Sequence, residues 1–457
     1  MSLKRLHLRA IGILFLACAI PVGLTAQATD TDKKISDLEK QLDAIRVQIE
    51  ALKTATPATP ATAPAIPAAA AVVTPAPAPA PNPMAGITSV LGGVNLTGLV
   101  DAYYGYNANH PALTYQGVPT GTNTEPFSFT NNQFSLNLLE LQLEKPVDKA
   151  TPLGFRVAFG FGQAMNAVNN VGNSPNSPDV ASGLAGVDQY LKEGYLSYFA
   201  PLGKGLQIDA GKFVTPAGAE VIETNQNWNY SRSLLFSYAI PYYHMGVRAK
   251  YTFNDKVSVT AYATNGWNNV VATNTGKTGG LSVAWNATKK LSITETYLGG
   301  PRDYYGVGNN GPWNNLTDTV IAYNLTPKLT LQANLDYNRI EEFGASKKPA
   351  DYAGIAGYVK YALSPVVAVA ARYEYLNDHD GLATPISYYG IAKGQHMNEF
   401  TGTVERKIAG HLLSRLEYRH DSSNQPFFAR GNTFGAVKGQ STVDAGLVFV
   451  LEPGETK

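Results

Sequence analysis

The chain has a single cysteine, Cys18, and it lies inside an apolar stretch near the N-terminus. If that stretch is removed on export, the mature chain has no thiol, which excludes disulfides, thiol redox chemistry and zinc–thiolate sites. Charge is scarce too: Asp, Glu, Lys and Arg make up 16% of residues, with a formal balance of +1. Losing Lys4, Arg5 and Arg9 with a leader shifts that balance to about −2, far from the basic surface that phosphate backbones favour, so no nucleic acid partner is expected. After Leu24 there is no run of about 18 apolar residues, which excludes a spanning helix in the body of the chain. Neither H-E-x-x-H nor G-x-S-x-G occurs, and His110, His244, His379, His396, His411 and His420 show no ligand spacing. No enzyme activity, metal or cofactor is therefore expected.

What remains is rich in glycine and tyrosine, 43 and 26 residues respectively. The N-terminus reads as an address: Lys4, Arg5 and Arg9 precede an apolar run from Ala10 to Leu24, and Ala26-Gln27-Ala28 offers a cleavage site, so residues 1–28 are expected to be a signal peptide. A retained anchor is the alternative, although the run falls short of the roughly 20 residues a spanning helix needs. Lipidation at Cys18 is another, with Phe15 where a lipoprotein box prefers Leu.

Over residues 30–53 the apolar residues Ile35, Leu38, Leu42, Ile45, Ile49 and Leu52 recur at alternating steps of three and four, the seam of a short coiled-coil helix. A seam this short is marginal alone and needs burial, so a homotrimer is expected, with Ile at two of three a positions arguing against a dimer. The competing reading is an amphipathic helix lying on another surface of the same protein. Residues 54–85 are almost all Ala, Pro, Thr and Val, a semi-rigid spacer.

From residue 86 to 452 the rhythm changes to period two, with sixteen candidate strands. Val94, Leu96, Val100, Ala102 and Tyr104 alternate with Asn95, Thr97, Asp101 and Tyr103; Val367, Val369, Ala371, Tyr373 and Tyr375 alternate with Ala368, Ala370, Arg372 and Glu374. Any antiparallel sheet with one wet face alternates in this way. The connections discriminate: short turns such as Asn254-Asp255-Lys256 alternate with long Gly/Asn-rich loops such as Asn107 to Asn132, the asymmetry of a transmembrane β-barrel. Tyr104, Phe161, Tyr251, Phe253, Tyr361, Tyr373, Tyr375 and Tyr418 fall at strand ends, where interfacial girdles form. The expected fold is all-β, a transmembrane antiparallel barrel in the cell outer membrane, preceded by a short α-helical coiled coil. An even strand number puts both termini on the periplasmic side, where the helix could reach the cell wall. Residues 453–457 form a tail.

The last strand, Asp444 to Leu451, resembles the C-terminal signal read by outer-membrane assembly machinery, with Gly446, Phe449 and Leu451 at the signal positions. It departs from the usual form in the residues that trail behind it. A second stretch is more specific: Gly211-Lys212-Phe213-Val214-Thr215-Pro216-Ala217-Gly218-Ala219-Glu220, then Glu223, Asn229-Tyr230-Ser231-Arg232-Ser233, Pro241 and His244-Met245-Gly246-Val247-Arg248. It resembles the signature of the OmpL-like β-barrel porins, a likeness extending over about residues 90 to 451. The resemblance implies an outer-membrane channel of unassigned solute preference.

A barrel of this size holds water, so selectivity falls to inward charges and an infolded loop. The inward phase carries Asp101, Arg156, Arg248, Lys250, Asp336, Lys360, Arg372, Glu374, Glu405, Arg415, Glu417 and Arg419. The loop from Ala217 to Ile240 is the candidate constriction, with Glu220, Glu223 and Arg232 facing Arg156, Arg248, Lys250, Arg372, Glu374, Arg415 and Arg419. In the alternative, Glu220, Glu223 and Arg232 pair with one another and merely pin the loop. Passive diffusion of small polar solutes and ions is the expected function; a porin selective for sugar or an anion such as phosphate, or a surface barrel whose loops bind partners, remain alternatives. Trp228, Trp267, Tyr304, Tyr305 and Trp313 could stack on sugar rings or simply pack their loops, and Asp421-Ser422-Ser423-Asn424 offers a weak calcium loop.

Overall fold

A computed structural model of the chain describes residues 93–112, 114–115, 118–119, 127, 131–169, 189–272, 274–302, 311–344, 347–384 and 394–451. The leader, the coiled-coil seam from Ile35 to Leu52, the Pro/Ala spacer, Tyr304, Tyr305 and the tail lie outside them.

Sixteen antiparallel strands form one closed barrel. In chain order they are β1 (Asn95–Asn107), β2 (Gln133–Lys145), β3 (Leu153–Phe161), β4 (Leu191–Ala200), β5 (Leu206–Val214), β6 (Tyr243–Thr252), β7 (Val257–Thr264) and β8 (Thr278–Asn286). They continue as β9 (Leu291–Pro301), β10 (Trp313–Asn324), β11 (Leu329–Phe343), β12 (Lys348–Ala362), β13 (Val367–Asp378), β14 (Gln395–Ala409), β15 (Leu412–Ser423) and β16 (Gly439–Leu451). Each strand pairs with its sequence neighbours, and β1 closes onto β16 with Gly98 opposite Leu451. Hydrocarbon offers no hydrogen-bond partners, and closure leaves no unpaired edge.

The period-two pattern sorts side chains as expected. On β13, Tyr373 and Tyr375 are exposed on the outer face, while Arg372 and Glu374 point inward and are buried. Phe253 and Tyr361 lie exposed near one rim, and Phe161, Tyr373, Tyr375 and Tyr418 near the other. The rim at which β1 begins and β16 ends carries tight turns. Turn side chains supply the missing acceptors: Asn254 Oδ1 takes the Lys256 and Val257 amides, and Thr288 and Thr326 hydroxyls do the same in their turns. The strict alternation of short and long links fails once. Strands β11 and β12, 15 residues each, run on as a hairpin beyond the long-link rim and are joined by residues 344–347 alone.

Two of the barrel's register shifts redirect a polar side chain. A bulge opposite Asp101 and Ala102 turns Asn137 inward, and a bulge opposite Ala158 and Phe159 does the same for Lys192. The outer face has its own anomaly. Glu295 shares the outward phase of β9 with Ile293 and Tyr297, is exposed, and lies across from Val283 and Thr319 between the two aromatic girdles. The Thr319 hydroxyl donates to it at 2.5 Å.

A carboxylate on a lipid face destabilises a barrel, by somewhat less than the ~2–4 kcal/mol of a basic residue at the midplane. Glu295→Leu should therefore raise the urea midpoint for unfolding from lipid vesicles, by about 1–2 kcal/mol of stability. An unchanged or lower midpoint would show that something other than lipid covers this face.

Candidate functional site

The link between β5 and β6, residues 215–242, does not extend outward. It folds into the lumen, with a 3-10 turn at Thr224–Gln226 and a π-helical turn at Leu235–Ala239. A buried loop exposes backbone polar groups with no ladder to join, and each needs a partner. The far wall provides them. Glu374 of β13 accepts the Leu234 and Leu235 amides at 2.9 and 3.1 Å. Glu417 of β15 accepts those of Tyr230 and Ser231 at 2.5 and 2.8 Å. Arginines take the carbonyls: Arg415 binds Thr224 and Asn227 oxygens at 2.5 and 2.6 Å, and Arg419 binds the Arg232 oxygen at 2.5 Å. Nearer the seam, Asp101 of β1 receives the Thr224 and Tyr230 hydroxyls at 2.6 and 2.8 Å. The Tyr352 hydroxyl closes the set on the Ala239 carbonyl at 2.6 Å.

Two glycines leave room for this docking. A Cβ on Gly446 would meet the Tyr230 ring at 2.4 Å, and one on Gly354 would meet Leu235 Cδ2 at 2.2 Å. Gly446 thus faces inward as a seat for the loop, while Phe449 sits 46% exposed on the outer face of the same strand.

The candidate residues divide into two sets. Arg372, Glu374, Arg415 and Arg419 are buried beneath the loop. Arg372 alone holds three carboxylates, Glu220 at 2.7 Å, Glu399 at 2.9 Å and Glu374 at 3.1 Å, with its side chain inaccessible. Arg156, Arg248 and Lys250 instead keep contact with the open lumen; Arg156 pairs with Glu193 at 2.8 Å and Arg248 with Asp209 at 2.8 Å, while Lys250 is exposed. The loop is pinned, but not by its own three charges pairing with one another. Glu220 goes to Arg372 and Glu223 to the bulge residue Lys192. Arg232, only 2% exposed, caps the Tyr230 and Ile222 carbonyls and lies 5.5 Å from the Phe127 ring. It meets no carboxylate within ion-pair distance among the described residues, and burial lowers its guanidinium below the usual arginine value. For Glu223, burial favours the neutral acid, but the Lys192 ammonium and its hydrogen bond, with a backbone hydrogen bond and Arg156, together outweigh it and hold the carboxyl below the ordinary carboxylate range.

The remaining candidates fall elsewhere. Trp228 packs edge-on to Tyr358 and Trp267 lies 4.5 Å under Arg302, so both are held within the protein, whereas Trp313 is exposed on β10 with its indole N–H on Asn315. Asp421 is no loop ligand: it lies inside β15 and is taken by Arg419 and by Gln440. His244 is buried on the inner face, its Nδ1 against the Gly266 carbonyl. Among the described residues Asp351, His379 and Asp380 could share an ion, their ligand atoms lying within 4.8 Å of one another, but they sit near the long-link rim and not in the lumen. Composition could not have revealed Lys192 or Asn137, because a bulge inverts the parity on which the inward phase was read.

A polar lumen, an apolar girdled exterior and an infolded loop agree with the family comparison. Residues 93–451 match the model described as beta-barrel porin-2, OmpL-like. The chain belongs to that family. It is thus a porin-like outer-membrane β-barrel channel, and its family is one of channels rather than enzymes. Among solved structures, this porin is similar to the outer membrane channel DcaP of Acinetobacter baumannii, at 11% identity and a TM-score of 0.51, over 78% of this chain and 97% of that one. It is also similar to an anion-selective porin from Comamonas acidovorans, at 12% identity and a TM-score of 0.48, over 78% and 99% of the two chains. No curated protein matches the chain.

Replacing Arg372 by Met should destabilise the porin by about 3–5 kcal/mol in urea unfolding, since three buried carboxylates lose their cation. Adding Glu399→Gln should recover part of that loss; no recovery would refute the shared-cation account. Because Glu223 is held below its unfolded value, the stabilisation from its tie to Lys192 is present above the ordinary carboxylate range and lost as pH falls through the folded value. Protease access to the loop should accordingly rise in acid, and this dependence should flatten in Glu223→Gln.

Proposed function

We propose that the chain is a passive, ungated channel through which small polar solutes and ions diffuse, with the loop 215–242 as its constriction. The observation that carries this reading is the loop's uneven docking. Most of its ties run to β1 and to the wall from β11 to β15, Glu223–Lys192 is its ion pair to β4, and a cavity of about 210 Å³ remains between it and the wall that bears Arg156, Tyr195 and Arg248. In this reading Arg372, Glu374, Arg415 and Arg419 hold the constriction in place, while Arg156, Arg248 and Lys250 face the solute. Fixed opposed charges at the narrow point orient dipolar solutes and disfavour apolar ones.

Around that core the same proposal places residues 1–28 as the leader, residues 30–53 as a periplasmic clamp of a homotrimer, residues 54–85 as its spacer and residues 86–452 as the barrel, with both termini periplasmic. The solved trimeric form of OmpT from Vibrio cholerae shows that a porin barrel can assemble in threes. Gly446, Phe449 and Leu451 would be read by the assembly machinery before Gly446 becomes a seat for Tyr230.

Reconstitution in planar bilayers tests the reading. Conductance should appear in steps of three, lose that grouping when residues 30–53 are deleted, and rise per pore when residues 219–240 are replaced by a short Gly/Ser link. Silent insertion of protein that runs with heat-modifiable mobility on gels would refute it.

A further inference from the structure

The cavity beside the loop has a chemistry more specific than a water channel needs. Arg248 is built into it. Its Nε donates to Asp209 Oδ2 at 2.8 Å, and its guanidinium carbon lies 4.9 Å from the Tyr195 ring centre and 4.7 Å from that of Phe213. The planar group is thereby fixed in direction. Neither of its terminal nitrogens has a hydrogen-bond partner among the described residues, and the side chain is 22% exposed where it lines the cavity. Two parallel donors held in one plane match a carboxylate in geometry as well as charge.

The carboxylates in the same lining do not compete for that fork. Glu193 is held by Arg156, Glu220 by Arg372 and Glu223 by Lys192. The loop also contributes apolar lining to the cavity, with Ile222, Phe236 and Tyr242. Its volume of about 210 Å³ is roughly seven times a water's share of the liquid, the size class of a one-ring or short-chain acid.

We propose that this cavity is a binding subsite for small organic carboxylates with an apolar body, the carboxylate on the Arg248 fork and the body against Phe236 and Tyr242. The subsite rests on the diffusion-channel reading and gives it a solute class. A solute held there slows as it crosses, so at high concentration it obstructs the ion current.

The test uses the full-length protein in planar bilayers with three probes: benzoate, its neutral isostere benzamide, and acetate, which lacks an apolar body. Benzoate should reduce the current in a saturable way, and benzamide and acetate should not at the same concentration. Arg248→Gln should raise the half-blocking benzoate concentration by about tenfold or more, as expected for loss of a charge-assisted fork. Phe236→Ala, which leaves the guanidinium untouched, should weaken benzoate block as well, so the inference remains testable if Arg248→Gln does not fold. Conducting pores that benzoate leaves unblocked, equal block by benzamide, or unchanged block in both variants would overturn the subsite and leave the channel standing. Folded protein that carries no current would overturn the channel reading and the subsite with it.

Discussion

Every backbone amide and carbonyl removed from water must find a partner, and in this molecule that requirement acts twice. In hydrocarbon it forces the sixteen strands to close on themselves. In the lumen it acts on the infolded loop, whose amides and carbonyls cannot join a ladder. The inner wall meets the second demand with charged side chains: Glu374 and Glu417 for amides, Arg415 and Arg419 for carbonyls. The charges of the far wall are therefore first a scaffold. Beside the loop, it is the nearer wall, with Arg156, Arg248 and Lys250, that is left to face the solution.

Ionic groups used in this way are stable only as a set. Arg372 is surrounded by Glu220, Glu374 and Glu399, and two of those carboxylates also take loop amides, Glu220 that of Ser233 and Glu374 those of Leu234 and Leu235. A buried pair adds little net stability over an apolar replacement, but removing one member leaves charge uncompensated. What such a network specifies is geometry. The loop has one docked position because shifting it would strand several of these groups at once. Gly354 and Gly446 complete that definition by shape, since their missing side chains are the hollows that Leu235 and Tyr230 fill.

The barrel is largely legible in the sequence, because a half-buried strand writes its environment into every second residue; the stretch from Val367 to Tyr375 is a plain case. That rule puts Arg372, Arg415 and Glu417 on the inner phase, and there they lie. Their burial was not legible, since it depends on a loop that meets them 140 or more residues away in sequence, as Tyr230 meets Glu417. The rule fails outright at Lys192 and Asn137, where one extra residue reverses parity. Arg232 shows the limit of reading charges as pairs: its partners are carbonyl oxygens, which no sequence pattern distinguishes.

One contact of the loop lies where the chain begins and ends its circuit. Tyr230 bonds Asp101 on β1 and rests on Gly446 of β16, the two strands joined at the closing seam. The loop therefore works as an internal rivet across that junction. Lateral parting of the two strands would have to pull the rivet out first, so filling the lumen and sealing the wall are a single cooperative event, and the last strand to arrive in synthesis completes both.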